Sequence, residues 1–100
     1  MKDRELLQSL GEHVPDFWRD LDCQMKVEAE AFWLRMDDAL VKRGLMTRLD
    51  HVQEEPELRF FYHAMNADRK ISHSSFGATR NEAVRSVYEQ IITAEKESKS

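Results

Sequence analysis

Between Pro15 and Gly44 the apolar residues fall into two interleaved helical series. Trp18, Leu21, Met25, Ala29, Phe32, Met36 and Leu40 recur at steps of three and four, the period of one helix face and not of a strand. At about 100° per residue, Cys23, Val27, Ala31, Leu34 and Val41 fall on the opposite side. Asp22, Glu30, Asp37 and Lys42 are left to the flanks and ends. Pro15 suits a first helical turn, where its missing N–H costs nothing. Asp16 and Asp20 lie near the positive end of the helix dipole, Lys42 and Arg43 near the negative end. Gly44 can take the left-handed conformation that closes a helix, with Leu45 folding back onto it. The pattern predicts one long central helix over about 16–43, apolar on two sides, and such a helix has to bury both. Its 28 residues would extend about 42 Å at about 1.5 Å per residue. A domain of this size is only about 33 Å across. The rod either bends or has its free end covered by something else.

The flanking segments supply candidate covers. Asp3–Leu10 reads as a short first helix with Asp3 as N-cap, its Leu6, Leu7 and Leu10 on one side, and Gly11 as its end. So short a helix is unstable alone, so its leucines are expected to dock on one stripe of the long helix. Residues 45–52 fit a short third strand or a loop, and Pro56 bars a helix through the polar connection that follows. Residues 58–76 read as a β-hairpin. Arg59–His63 are rich in aromatic strand formers, and Asn66–Arg69 supply the turn. Pairing Met65 with Lys70 puts Leu58, Phe60, Tyr62, Ala64, Ile71, His73 and Ser75 on one face. Arg59, Phe61, His63, Met65, Lys70, Ser72, Ser74 and Phe76 take the other. Thr79 and Glu82 have the spacing of a capping box. A C-terminal helix over about 80–95 follows, with Val84, Val87, Tyr88 and Ile91 facing a core and residues 96–100 frayed. The expected architecture is a single α+β domain over 1–95.

Composition narrows the class. The chain is 41% hydrophobic and 34% charged, ordinary for a soluble globular protein. No run approaches the ~20 apolar residues of a membrane span, and Met1–Glu5 carry no apolar signal core. A single cysteine cannot form an internal disulfide, which fits a reducing, cytoplasmic setting. The net charge of −4 is uneven: residues 1–57 carry 8 basic and 14 acidic side chains, residues 58–100 carry 7 and 5. The first half would repel a phosphate backbone, and the second could tolerate one.

The strand–Gly–x–Thr–x–x–Glu–Ala–helix passage from Phe76 to Ala83 resembles a unit of small phage-encoded accessory proteins built as a sheet between helices. It is also similar to the HicB-type antitoxin family and, more loosely, to the last strand and helix of double-stranded-RNA-binding domains. HicB-like families carry a Pro-Asp-Leu-Pro-Gly type segment where this chain has His73-Ser74-Ser75. RNA-binding domains carry paired lysines where it has Arg80 and Asn81. The resemblance covers about a third of the chain and implies a phage or mobile-element origin, hence a host cytoplasm, and no activity.

Little in the sequence suggests catalysis. Asp20 and Asp22 surround Cys23 with negative charge, whereas a reactive thiolate needs positive surroundings. With three glycines there is no phosphate loop or nucleophile elbow. Asp37-Asp38 and Glu54-Glu55 are adjacent pairs that diverge by about 100° on a helix. His63 and His73, the one tempting metal pair, fall on opposite hairpin faces, so neither metal nor cofactor is expected. The candidate protein interface is Trp18, Val27, Ala31, Phe32, Trp33, Leu34, Met36 and Val41 of the long helix. It would meet another protein or, through Val27, Ala31, Leu34 and Val41, a second copy of the chain. The alternative is a nucleic-acid face on the hairpin, with Phe61 and Phe76 stacking bases and Arg59, His63, Lys70 and Arg80 around them. The long helix is expected to cover that face instead. The leading expectation is a small non-enzymatic protein that binds and modulates a larger one.

Overall fold

The computed structural model describes residues 1–29, 32–52 and 56–98. Its elements in chain order are α1 (Asp3–Ser9), α2 (Asp20–Val27), α3 (Phe32–Lys42), β1 (Met46–His51), a 3-10 turn at Pro56–Leu58, β2 (Phe60–Met65), β3 (Ser72–Gly77) and α4 (Arg80–Ser98). The fold is α+β. Its three strands form one antiparallel sheet in the order β1-β2-β3, so the segment at 45–52 is a strand.

The single helix expected over 16–43 is two helices. Residues 16–19 belong to a turn closed by Trp18 N–H on the Pro15 carbonyl at 3.0 Å, and α2 starts after Arg19, whose N–H donates to the Asp22 carboxylate at 2.9 Å. The break between Val27 and Phe32 has a packing cause. Cys23 and Val27 are buried on α2, and Phe32, Met36 and Leu40 on α3. Phe32 lies five positions after Val27, a step that would turn them about 140° apart on a continuous helix. Interrupting the helix lets both face one core. The apolar series therefore swap roles: the first is exposed on α2 at Leu21 and Met25 and buried on α3, and the second is buried on α2 and exposed on α3 at Leu34 and Val41.

Three side-chain contacts secure the junction. Glu12 takes Lys26 of α2 at 3.1 Å on one oxygen and Arg35 of α3 on the other. Asn81 Nδ2 of α4 donates to the carbonyl of Val27, the last residue of α2, at 2.8 Å.

The helix ends follow their chemistry. Gly11 and Gly44 have φ of +77° and +83°, and each closes the same pair of bonds. Gly11 N–H meets the Gln8 carbonyl and Glu12 N–H the Leu7 carbonyl, both at 3.0 Å. Gly44 N–H meets Val41 at 2.9 Å and Leu45 N–H meets Leu40 at 3.3 Å. This closure joins Leu45 to Leu40 inside the core. Asp3 is not the N-cap of α1: it lies in the first turn and its carboxylate binds Arg85 of α4 at 2.7 Å. Thr79 Oγ1 accepts from Glu82 N–H at 3.1 Å, and the Glu82 carboxylate accepts from Ala78 N–H at 3.0 Å, one residue earlier than a standard capping box. Residues 96–98, expected to fray, continue α4, with Ser98 Oγ donating to the Glu95 carbonyl.

The sheet packs one face on α3 and α4. Phe60, Tyr62 and Ala64 point into that core against Ala83, Val84, Val87, Tyr88, Ile91 and Ile92. β2 pairs with β3 as Phe60↔Gly77 through Met65↔Ser72, two residues from the expected register. A two-residue shift keeps every side chain on its expected face. The connection is longer than Asn66–Arg69 because the Asn66 side chain accepts from Ile71 N–H at 3.1 Å and Arg69 takes a left-handed φ of 60°. α3 is fastened to the sheet by the buried Tyr62 hydroxyl, which donates to Asp37 Oδ1 at 2.7 Å. Burial, then the Asp37 hydrogen bond and charge, hold that phenol protonated well above its ordinary range.

Two outcomes test this packing. A Cβ at Gly77 would lie 2.5 Å from the Ala83 backbone nitrogen, so Gly77→Ala should destabilise the fold by about 1–3 kcal/mol in urea unfolding. The Tyr62 phenol stays protonated in the folded state after the unfolded one ionises near its ordinary value of about 10. Its contribution is complete below that pH and is lost as pH climbs above it. Tyr62→Phe should therefore flatten the alkaline fall in Tm above about pH 10 and lower stability at neutral pH by about 1–2 kcal/mol.

Candidate functional site

The other face of the sheet is open. Alternation along the three paired strands brings out Met46, Met65 and Ser72 in one row, Arg48, His63 and Ser74 in the next, and Asp50, Phe61 and Phe76 in the third. No described element covers them. The helix expected here is broken, and its second part, α3, lies with α4 on the opposite face, where Phe60, Tyr62 and Ala64 point. Met46 and Phe76 are about half exposed, at 53% and 49%.

The face is apolar at its two ends and polar across its middle. Phe61 and Phe76 stack tilted with centroids 4.9 Å apart, and the Phe61 and His63 rings lie 6.4 Å apart. His63 Nε2 is 2.9 Å from Ser72 Oγ. Arg48 and Asp50 neutralise each other through a 2.9 Å ion pair. Asp50 stands directly beside Phe61 in the register, and Glu57 is exposed in the preceding turn.

The six residues of the nucleic-acid alternative are not brought together. Phe61, His63 and Phe76 share the open face. Arg80 instead reaches over the core-side ring of Phe60, 4.9 Å from its centroid. Arg59 and Arg80 both line a recess of about 590 Å³ beside Trp33 and the start of α4. Lys70 lies in the hairpin connection, its N–H bound to the Asp68 carboxylate at 3.0 Å. Two of the three cations expected around the aromatics thus point elsewhere.

The candidate helix interface is dispersed as well. Val27, Phe32 and Met36 are core residues and present no surface, because the break turns both helices onto one interior. Trp18 and Trp33 are partly buried against that core. Lys26 lies 5.4 Å from the Trp18 ring centroid, and the Arg4 guanidinium donates to the Trp18 carbonyl. Leu34 and Val41 remain about half exposed, and Ala31 lies outside the described residues. Phe17 is exposed in the turn before α2, and Leu21 and Met25 are exposed on α2 itself, outside the candidate interface. Their spacing of four was visible, but which helix face is free depends on the break.

Cys23 is buried, His63 and His73 occupy opposite sheet faces, and among the described residues no three His, Cys, Asp or Glu side chains converge on a metal position. No helix of the described residues is long and apolar enough to cross a membrane. No family model, curated protein or solved structure matches the chain.

The assignment of faces has a direct check. Phe60→Ala, which empties a core position, should cost about 3–5 kcal/mol. Phe76→Ser, one strand away on the open face, should cost no more than about 1 kcal/mol in the same denaturation experiment.

Proposed function

We infer that this protein acts by binding another protein, with the open sheet face as its docking surface. The observation that carries the reading is the Phe61–Phe76 pair, held on a rigid sheet with Met46 and Met65 and left uncovered. Aromatic and methionine side chains are the types enriched at the centre of protein interfaces. Paired strands hold them in place before binding, so little ordering cost falls on association. Asp50 and Arg48 pair on this face, so its polar middle carries no net charge and the apolar ends dominate it. Arg59 and Arg80 line a recess away from the aromatic row, so the cations a phosphate backbone needs are not gathered beside it. The role is a non-catalytic modulator that occludes a site on a larger protein. The phage-like passage at residues 76–83 makes host machinery, such as a nuclease or defence complex, the class of target in view.

Affinity capture from a lysate, comparing the wild-type chain with the Phe61→Ser/Phe76→Ser variant, tests the reading. The expected result is one partner retained by the wild type at about 0.5 M salt, where phosphate contacts fail, and lost by the variant at unchanged fold. Retention by both would remove the sheet face from consideration. Tight, steeply salt-dependent binding of a single-stranded oligonucleotide would replace a protein partner with a nucleic acid.

A further inference from the structure

β1 is an edge strand with a readable free side. Val52 N–H donates to the Arg59 carbonyl at 2.6 Å. That bond fixes the alternation along the β1–β2 register, so Met46, Arg48 and Asp50 direct their backbone groups at β2. Thr47, Leu49 and His51 present theirs to the other side, which no described strand occupies.

We propose that this edge pairs antiparallel with β1 of a second copy of the chain, about a two-fold axis at Leu49, joining two three-stranded sheets into one. In that register Leu49 bonds to Leu49 of the second copy, and Thr47 to its His51. Arg48 then stands opposite Asp50 of the second copy, and Asp50 opposite its Arg48. Both are non-hydrogen-bonded pairs, the kind in which side chains approach most closely.

Charge selects this register. The two nearest registers that preserve the hydrogen-bond alternation set Arg48 against Arg48, or Asp50 against Asp50, and like charges directly opposite are destabilising. Within one chain the two side chains neutralise each other at 2.9 Å, so the edge has no net charge to repel its copy.

α3 completes the interface. It packs beside β1 and against α4. Leu34 and Val41 lie about 150° from its buried Phe32–Met36–Leu40 line, on the side where Asp37 reaches Tyr62. They remain 51% and 49% exposed. Joining the edges brings these side chains toward their counterparts and adds the apolar burial that a two-strand contact lacks. This assembly engages the β1 border of the open face and leaves the Phe61–Phe76 pair uncovered.

Sedimentation equilibrium of the full chain tests the proposal. The expected species is a concentration-dependent dimer of the 11.8 kDa chain. Arg48→Asp should weaken it by roughly tenfold to a hundredfold, because two symmetry-related attractions become repulsions. Asp50→Arg should do the same. Association should return in the Arg48→Asp/Asp50→Arg double variant. It should also return on mixing the two single variants, since each cross-strand contact again joins opposite charges. Both positions are solvent-facing, and circular dichroism confirms that each variant is folded. Amide exchange at Thr47, Leu49 and His51 should slow as wild-type concentration rises. A chain that stays monomeric at about 1 mM overturns the proposal, as does a dimer indifferent to the single changes or one that mixing fails to restore. Phe61→Ser/Phe76→Ser should leave self-association unchanged, so the two surfaces fail or succeed separately.

Discussion

Val27 and Phe32 both face one interior, although a continuous helix would point them about 140° apart. That conflict shapes the first half of the molecule. Interrupting the helix lets α2 and α3 each turn a buried row inward. Glu12 grips both helices from outside the core, and Asn81 binds the carbonyl that ends α2. The interruption also leaves Leu21 and Met25 on one helix and Leu34 and Val41 on the other in solvent. The chain solves its surplus of apolar positions by hiding half of each series.

Local chemistry was legible where it did not depend on neighbours. Gly11, Gly44 and the Thr79–Glu82 pair stop and start helices for reasons contained within a few residues, and the two-residue period of Phe60–Met65 marks both faces of β2. The break was not legible. Glu28 and Ala29 are ordinary helix formers, with no proline or glycine to announce an interruption. Two opposed stripes on one helix and two helices with rotated faces share the same spacing. Only the position of the core decides between them. The hairpin register slipped because the Asn66 side chain and the left-handed Arg69 hold a longer connection than the turn residues alone imply, while the parity of the strands preserved every face.

The open face was legible as a set of side chains but not as a surface. Phe61, His63, Met65 and Phe76 share it in either register, yet whether a helix covers them depends on where the helices go. Once α3 and α4 are drawn to Phe60, Tyr62 and Ala64, nothing in the described chain remains for the opposite side. The same placement carries Arg80 to the core side of the sheet. A platform that mixed aromatic and basic character in one dimension becomes, in three, an aromatic and thioether face whose one arginine, Arg48, is paired with Asp50.

Contacts that seat the first helices come from far along the chain. Tyr88 donates its hydroxyl to Ser9, whose own proton goes to the Leu6 carbonyl, at 2.8 and 2.6 Å. Arg85 binds Asp3 and the Met1 carbonyl, and Asn81 reaches Val27 across 54 positions. During synthesis, Leu6, Leu7, Cys23 and Val27 leave the ribosome long before the residues that shelter them. Until α4 emerges, the first helices lack the partners that seat them, and their apolar rows stay open to chaperones and proteases alike.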